Sequence, residues 1–176
     1  AGKPVSVGIR ELLRRSDSLA FVCDDGARSQ FGITRLLLAL MHRTRPDASR
    51  QEWEAFWDRG IFPDDWLKEI ESLSDEFFLF HAKHPFNQSI DPTTKLLKTA
   101  TYLLDELPRG TEINHFRKVF DDEAALCLAC CSRGLIELSA FATQGGQGKS
   151  PSINGDHPSY SMPAGRTLFE TLMLNW

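Results

Sequence analysis

Long apolar runs are missing from this chain. The longest, Ala124 to Cys131, is eight residues, where a bilayer crossing needs about 20. The first residues carry no charged-then-apolar targeting pattern, so the expectation is a soluble, untargeted protein of the cytoplasm that meets no membrane. Positive charge is also in short supply: 20 Lys and Arg stand against 24 Asp and Glu, a formal net charge of −4. That argues against a free-standing nucleic-acid binder, because non-specific affinity for phosphate normally comes from a basic domain. Any such role must be local, or shared with basic partner subunits. Cysteine is sparse, and of Cys23, Cys127, Cys130 and Cys131 the last three crowd together. Without a secretion signal they read as reduced thiols.

No Ser-His-Asp or Cys-His order suggests an assembled nucleophile. The acids Asp91, Asp121 and Asp122 fall at expected helix starts, where capping accounts for them. The expectation is a non-enzymatic protein with no catalytic residue, cofactor or metal.

What is present fits one core. A chain of 176 residues with 41% hydrophobic content is near the usual size of a single domain, here residues 1–176. The start at Ala1-Gly2-Lys3-Pro4 and the stop at Trp176 within an apolar periodic stretch suggest a piece of something longer.

Helical periodicity dominates. Ser6 can cap a helix through about Arg15 with Ile9, Leu12 and Leu13 on one face. Gln30 to about Arg43 is apolar nearly all round, marking a helix enclosed on most sides at the centre of the core. Ser49 and Glu52 fit a capping box before Trp53, Phe56 and Trp57, and Gly60 stands at the stop. Pro63-Asp64-Asp65 opens a helix with Trp66, Leu67, Ile70 and Leu73 as its stripe. Phe77-Phe78-Leu79-Phe80 and His84-Pro85-Phe86 read as an extended segment leaving the helices. Pro92 permits a short helix through about Thr99. Residues 105–120, with Pro108, Gly110 and Asn114, read as a long loop, and loops of that length are usually functional or disordered. Asp121-Asp122 can start a long helix carrying Ala124, Leu128, Cys131, Leu135 and Leu138. A second irregular stretch, 144–165, precedes a final helical pattern of Leu168, Phe169, Leu172 and Met173.

Several clusters invite chemistry. Gly145-Gly146-Gln147-Gly148-Lys149 exposes backbone without Cβ atoms beside a cation, which suits contact with phosphate or a groove floor. It lacks the spacing and preceding strand of a phosphate loop, and composition alone favours a flexible linker. Arg109, Asn114, His115, Arg117 and Lys118 mix cations and amide donors with Phe116, suiting sugar-phosphate contact and base stacking. An ordinary solvated loop accounts for them equally well. His81 and His84 could ligate metal, but packing of a turn is the better reading. Cys127, Cys130 and Cys131 would need a second ligand pair for zinc, so helix packing is preferred.

Taken in order, these segments resemble the large, CasA-type subunit of the type I-E CRISPR interference complex, Cascade. The resemblance is carried by Val7 to Leu13, Arg35 to Arg43, Trp57 to Phe62 and, most specifically, Phe77 to Gln88 (F-F-L-F-H-A-K-H-P-F-N-Q). Gly145 to Lys149 is similar to the family's glycine loop, and Leu168 to Trp176 to the helix after it. Three departures stand out: the family's opening strand segment with its tryptophan-isoleucine-proline pattern is absent, the family continues for several hundred residues past Trp176 into a helical bundle, and Pro108-Arg109-Gly110-Thr111-Glu112 replaces a glycine-asparagine-rich loop core.

The resemblance implies an α+β, mainly helical, irregular N-terminal domain with long functional loops, belonging to a non-catalytic subunit. That subunit would sense a protospacer-adjacent motif in double-stranded target DNA, help open the duplex for guide pairing and recruit a separate nuclease-helicase. Its partners would be CRISPR RNA, target DNA and other Cascade subunits. By the same resemblance, Gly145, Gly146, Gln147, Gly148 and Lys149 would contact DNA, and the 105–120 loop would approach the RNA 5′ handle. The alternative is a protein-docking module without direct DNA readout; a third possibility is a small metal-dependent enzyme using His81, His84 or the cysteines.

Overall fold

The computed structural model describes residues 2–24, 26–88, 99–104, 125–141 and 159–176. Six α-helices lie among them: α1 (Ile9–Arg14), α2 (Ala27–Thr44), α3 (Arg50–Arg59), α4 (Asp64–Glu71), α5 (Leu128–Phe141) and α6 (Leu168–Asn175). Short 3₁₀ turns occupy Ser74–Phe77 and Ala100–Leu103. No strand occurs among the described residues, so the fold there is helical and the β component of the expected α+β class is not seen.

Helix starts follow local hydrogen-bond chemistry, with some corrections. Ser49 caps α3 by accepting from the Glu52 N–H at 3.2 Å, and Gly60 ends it in the left-handed region at φ 73°. A side chain there would be strained. Pro63 precedes α4, whose first turn carries Asp64 and Asp65 toward the positive helix end. Ser6, by contrast, caps nothing: α1 starts after Gly8, with no side-chain cap. Helix α2 reaches back to Ala27 because Gln30 is held inside its first turn, its N–H donating to Gly26 O at 3.0 Å and its amide to Asp24 O at 2.9 Å. Helix α5 does not start at Asp121-Asp122, which lie outside the described residues; 125–127 are non-helical and the helix begins at Leu128. The expected helix after Pro92 also falls largely outside the description, and Thr99 is not helical.

The core forms where α2, α4 and α6 meet. Leu37 and Met41 of α2, Trp66 and Leu67 of α4 and Leu168, Leu172 and Met173 of α6 are all essentially inaccessible. Trp66 is ringed by aromatics: Phe56 stacks at 5.2 Å, Phe62 meets it edge-on at 5.1 Å, and Trp176 lies 5.0 Å away. Such pairs add about 0.5–1.5 kcal/mol each beyond area burial. Helix α6 is stitched to the opposite end of the chain: Leu168 N–H donates to Leu19 O at 2.7 Å and Phe169 N–H to Ser16 O at 3.0 Å. Trp53 indole N–H reaches Met173 O at 2.9 Å.

Helix α5 packs on α2 from outside this core. Its Gly134 is buried against the 3₁₀ turn, where an added Cβ would come within 2.7 Å of Leu103 O. The glycine in mid-helix, otherwise a cost of about 1 kcal/mol, is what lets the Ala100–Leu103 turn lie directly on α5.

Candidate nucleic-acid interface

The glycine segment, Gly145 to Lys149, and the loop cations and amides, Arg109, Asn114, His115, Arg117 and Lys118, all lie outside the described residues. What the structure establishes is how the flanks of these two segments are anchored.

Residues 142–158 connect Phe141, at the end of α5, with the 159–167 stretch that leads into α6. Those ends meet. Tyr160 stacks on Phe31 of α2 at 4.5 Å and meets Phe141 edge-on at 5.6 Å, while Phe31 and Phe141 lie 5.5 Å apart. The Tyr160 hydroxyl donates to Ala140 O at 2.6 Å. Arg35 completes the clamp: its guanidinium sits 6.0 Å from the Tyr160 ring centre and donates to Ser139 O at 3.1 Å. A connection whose ends are already fixed together loses little further closure entropy when a ligand orders it. The sequence reading missed Phe31, Arg35, Phe141 and Tyr160 as a unit. Only proximity in space joins them.

The 105–124 connection is anchored by the 3₁₀ turn on one side and the start of α5 on the other. Leu103 lies against Gly134, and Leu103, Leu104, Cys130 and Arg133 line a cavity of about 400 Å³ that reaches the N-terminus of α2. Asp24 organises this region, accepting from Ser29 Oγ at 2.6 Å and pairing with Arg133 at 3.0 Å.

The cysteines depart from simple helix packing. Cys131 is half-buried, but Cys127 is exposed and sits just before α5. Cys127 Sγ and Cys130 Sγ lie 3.0 Å apart, and the Cys130 N–H donates to Cys127 Sγ at 3.3 Å. The contact with the Cys130 side chain, reinforced by that N–H, holds the Cys127 thiol below its ordinary range, while the same contact pushes Cys130 up. Among the described residues no group of three or more His, Cys, Asp or Glu converges on a metal-sized space.

The histidines pack a turn, as expected. His81 Nδ1 accepts from the Lys83 N–H at 3.2 Å and the His84 N–H at 2.9 Å, and the two rings stack at 5.8 Å. The expected extended segment is instead a compact knuckle. Phe77 ends a 3₁₀ turn, Phe86 N–H donates back to Phe78 O at 3.0 Å, and Asn87 turns the chain at φ 49°. These local bonds satisfy the backbone that a strand would have offered to a neighbour.

Comparison with known proteins decides the family. The model of the CRISPR-associated protein Cse1 family matches residues 1–176, the whole chain. The chain belongs to the Cse1 family. The CRISPR-associated protein CasA/Cse1 of Thermus thermophilus is 31% identical over 185 residues, covering 99% of this chain and 36% of that protein. A solved structure of Thermus thermophilus CasA (Cse1) superposes with a TM-score of 0.67 at 30% identity, covering 96% of this chain and 36% of that one. Thermobifida fusca Cse1 gives 0.73 at 23% identity, covering 99% and 36%, and speaks to the fold alone. The chain thus spans about a third of the length of these Cse1 relatives.

Proposed function

We propose that this Cse1-family chain is the N-terminal part of a subunit of a CRISPR RNA-guided surveillance complex, where it contributes to protospacer-adjacent-motif sensing, target duplex binding and nuclease-helicase recruitment. The observation that carries the reading is the family match across all 176 residues. In this reading the segment between Phe141 and Tyr160 meets DNA. Gly145, Gly146 and Gly148 allow backbone to approach the minor groove, Gln147 adds an amide, and Lys149 neutralises phosphate. Arg109, Asn114, His115, Arg117 and Lys118 contact the CRISPR RNA. The partners are that RNA, double-stranded target DNA, other Cascade subunits and a separate nuclease-helicase. The role is binding, without catalysis, in the cytoplasm.

A chain of net charge −4 suits such a division of labour, because guide pairing reads most of the target and protein reads only a short motif. The aromatic clamp formed by the flanks of the 142–158 connection supports the reading physically: it would hold both ends of a DNA-contacting loop on one helix.

The test is the double variant Gly146→Asp with Lys149→Glu in the full-length protein within its complex. Target-duplex affinity should fall while assembly stays intact, and the slope of log affinity against log salt should shrink by about 0.9 for the lost phosphate contact. Failed assembly, with unchanged DNA affinity in whatever complex forms, would instead favour a docking module.

A further inference from the structure

The knuckle from Phe77 to Gln88 has a composition unlike the rest of the chain. It holds four of the 12 phenylalanines, one lysine and two histidines, and none of the 24 acids. Two of those rings face solvent: Phe78 is 65% exposed and Phe80 78%. The backbone that presents them is tightly built. His81 Nδ1 takes up two N–H groups, the Gln88 side-chain amide donates to Leu79 O at 2.9 Å, and Phe77 stacks on Phe86 at 5.3 Å. Exposing two large rings on a stiffened turn leaves apolar surface in water without entropy of motion to offset it, which marks a contact surface.

Beside the knuckle lies a cleft of about 660 Å³, large enough for a planar heterocycle. Leu36, Leu40, Phe77 and Phe86 contribute apolar walls; Lys83, His84 and Asn87 stand among its polar ones. The single acid lining it, Glu76, is neutralised by Arg43 at 2.6 Å. Lys83 makes no ion pair with any described residue. Exposed rings interleaved with an uncompensated cation, next to an apolar slot with polar edges, fit a strand whose bases are unstacked and whose phosphates need a counter-charge. A duplex would offer neither free base faces nor an extruded base.

We propose that the 77–88 knuckle and its cleft bind an unpaired stretch of nucleic acid. Phe78 and Phe80 are stacking faces, Lys83 meets phosphate, and the cleft takes one base. This rests on the nucleoprotein reading above but concerns a site distinct from the glycine segment.

The test uses the full-length chain and two fluorescent probes, a ten-nucleotide RNA of mixed sequence and its DNA counterpart, followed by anisotropy. Phe80→Ala and Lys83→Glu, both at exposed positions, should each weaken single-strand binding roughly tenfold while leaving the circular dichroism spectrum and duplex-DNA affinity unchanged. Preference for one probe identifies the sugar. Wild-type chain that binds neither probe, or variants that bind as wild type, would overturn the proposal whatever the glycine-segment variants do. Intact oligonucleotide affinity with lost assembly in Phe80→Ala would also overturn it and assign the surface to a protein partner.

Discussion

The indole N–H of Trp66 donates to Thr44 Oγ1 at 2.7 Å, and that hydroxyl donates in turn to Leu40 O at 2.8 Å. Trp66 is wholly inaccessible, so its one polar atom depends on a single residue at the end of α2. Thr44→Val keeps the shape and removes the acceptor. The expected loss is about 1–3 kcal/mol for an unsatisfied buried donor, read as a lower midpoint in urea denaturation of the full-length protein. Unchanged stability would mean that another acceptor replaces Thr44.

Gly134→Ala tests the close packing of α5 on the 3₁₀ turn. A Cβ 2.7 Å from Leu103 O must push backbone aside, so the gain in helix propensity should be outweighed by an overpacking cost of about 1–3 kcal/mol. Because the turn leads into the 105–124 connection, the proposed RNA contact of that connection predicts that RNA affinity of the complex falls with stability. A more stable Gly134→Ala protein would show that the turn is free to move.

The start of α6 should show acid sensitivity. Thr167 caps the helix by accepting from the Glu170 N–H at 3.1 Å, and Glu170 accepts from the Arg166 backbone N–H at 2.6 Å. That backbone bond first, then the Arg166 guanidinium, holds the Glu170 carboxyl below its ordinary 4.5. A depressed carboxyl contributes stability that is full above its unfolded value and is lost as pH falls through the folded one. Glu170→Gln should therefore flatten the acid limb of the stability profile below about pH 5, while Thr167→Ala should cost about 1 kcal/mol at neutral pH. An unchanged acid limb would remove Glu170 from the cap.

Cys127 should be the first thiol of its pair to react. Its thiolate is favoured by the Cys130 contact, and it is exposed. Mass-spectrometric mapping of iodoacetamide labelling near pH 8 should find Cys127 modified before Cys130, and Cys130→Ala should slow it. Equal labelling rates would show that the contact is not maintained in solution.

Much of the helical frame was legible in the sequence because it is encoded locally. Ser49 three residues before Glu52, Gly60 after Arg59, and Pro63 before two acids act within one turn, and the Trp66, Leu67 and Ile70 stripe names its own buried face. The Thr167 cap of α6 was equally local and was overlooked. The Phe77–Phe80 run misled because an apolar stretch does not say whether its backbone will pair with a strand or with itself; Phe78 O receiving Phe86 N–H is a tertiary choice. Likewise Gly134 reads as a helix weakness until Leu103 is placed against it.

For the candidate sites the division is sharper. Residue order alone carried the family resemblance, because ordered segments such as Phe77 to Gln88 are properties of the chain and need no coordinates. That Phe31, Arg35, Phe141 and Tyr160 converge, that Cys127 and Cys130 bring their sulfurs together at the start of α5, and that four phenylalanines divide into two packed and two presented to water were decided only by tertiary structure. Contacts between residues more than 100 positions apart, such as Arg35 with Ser139, depend on how helices pack, and no local pattern records that.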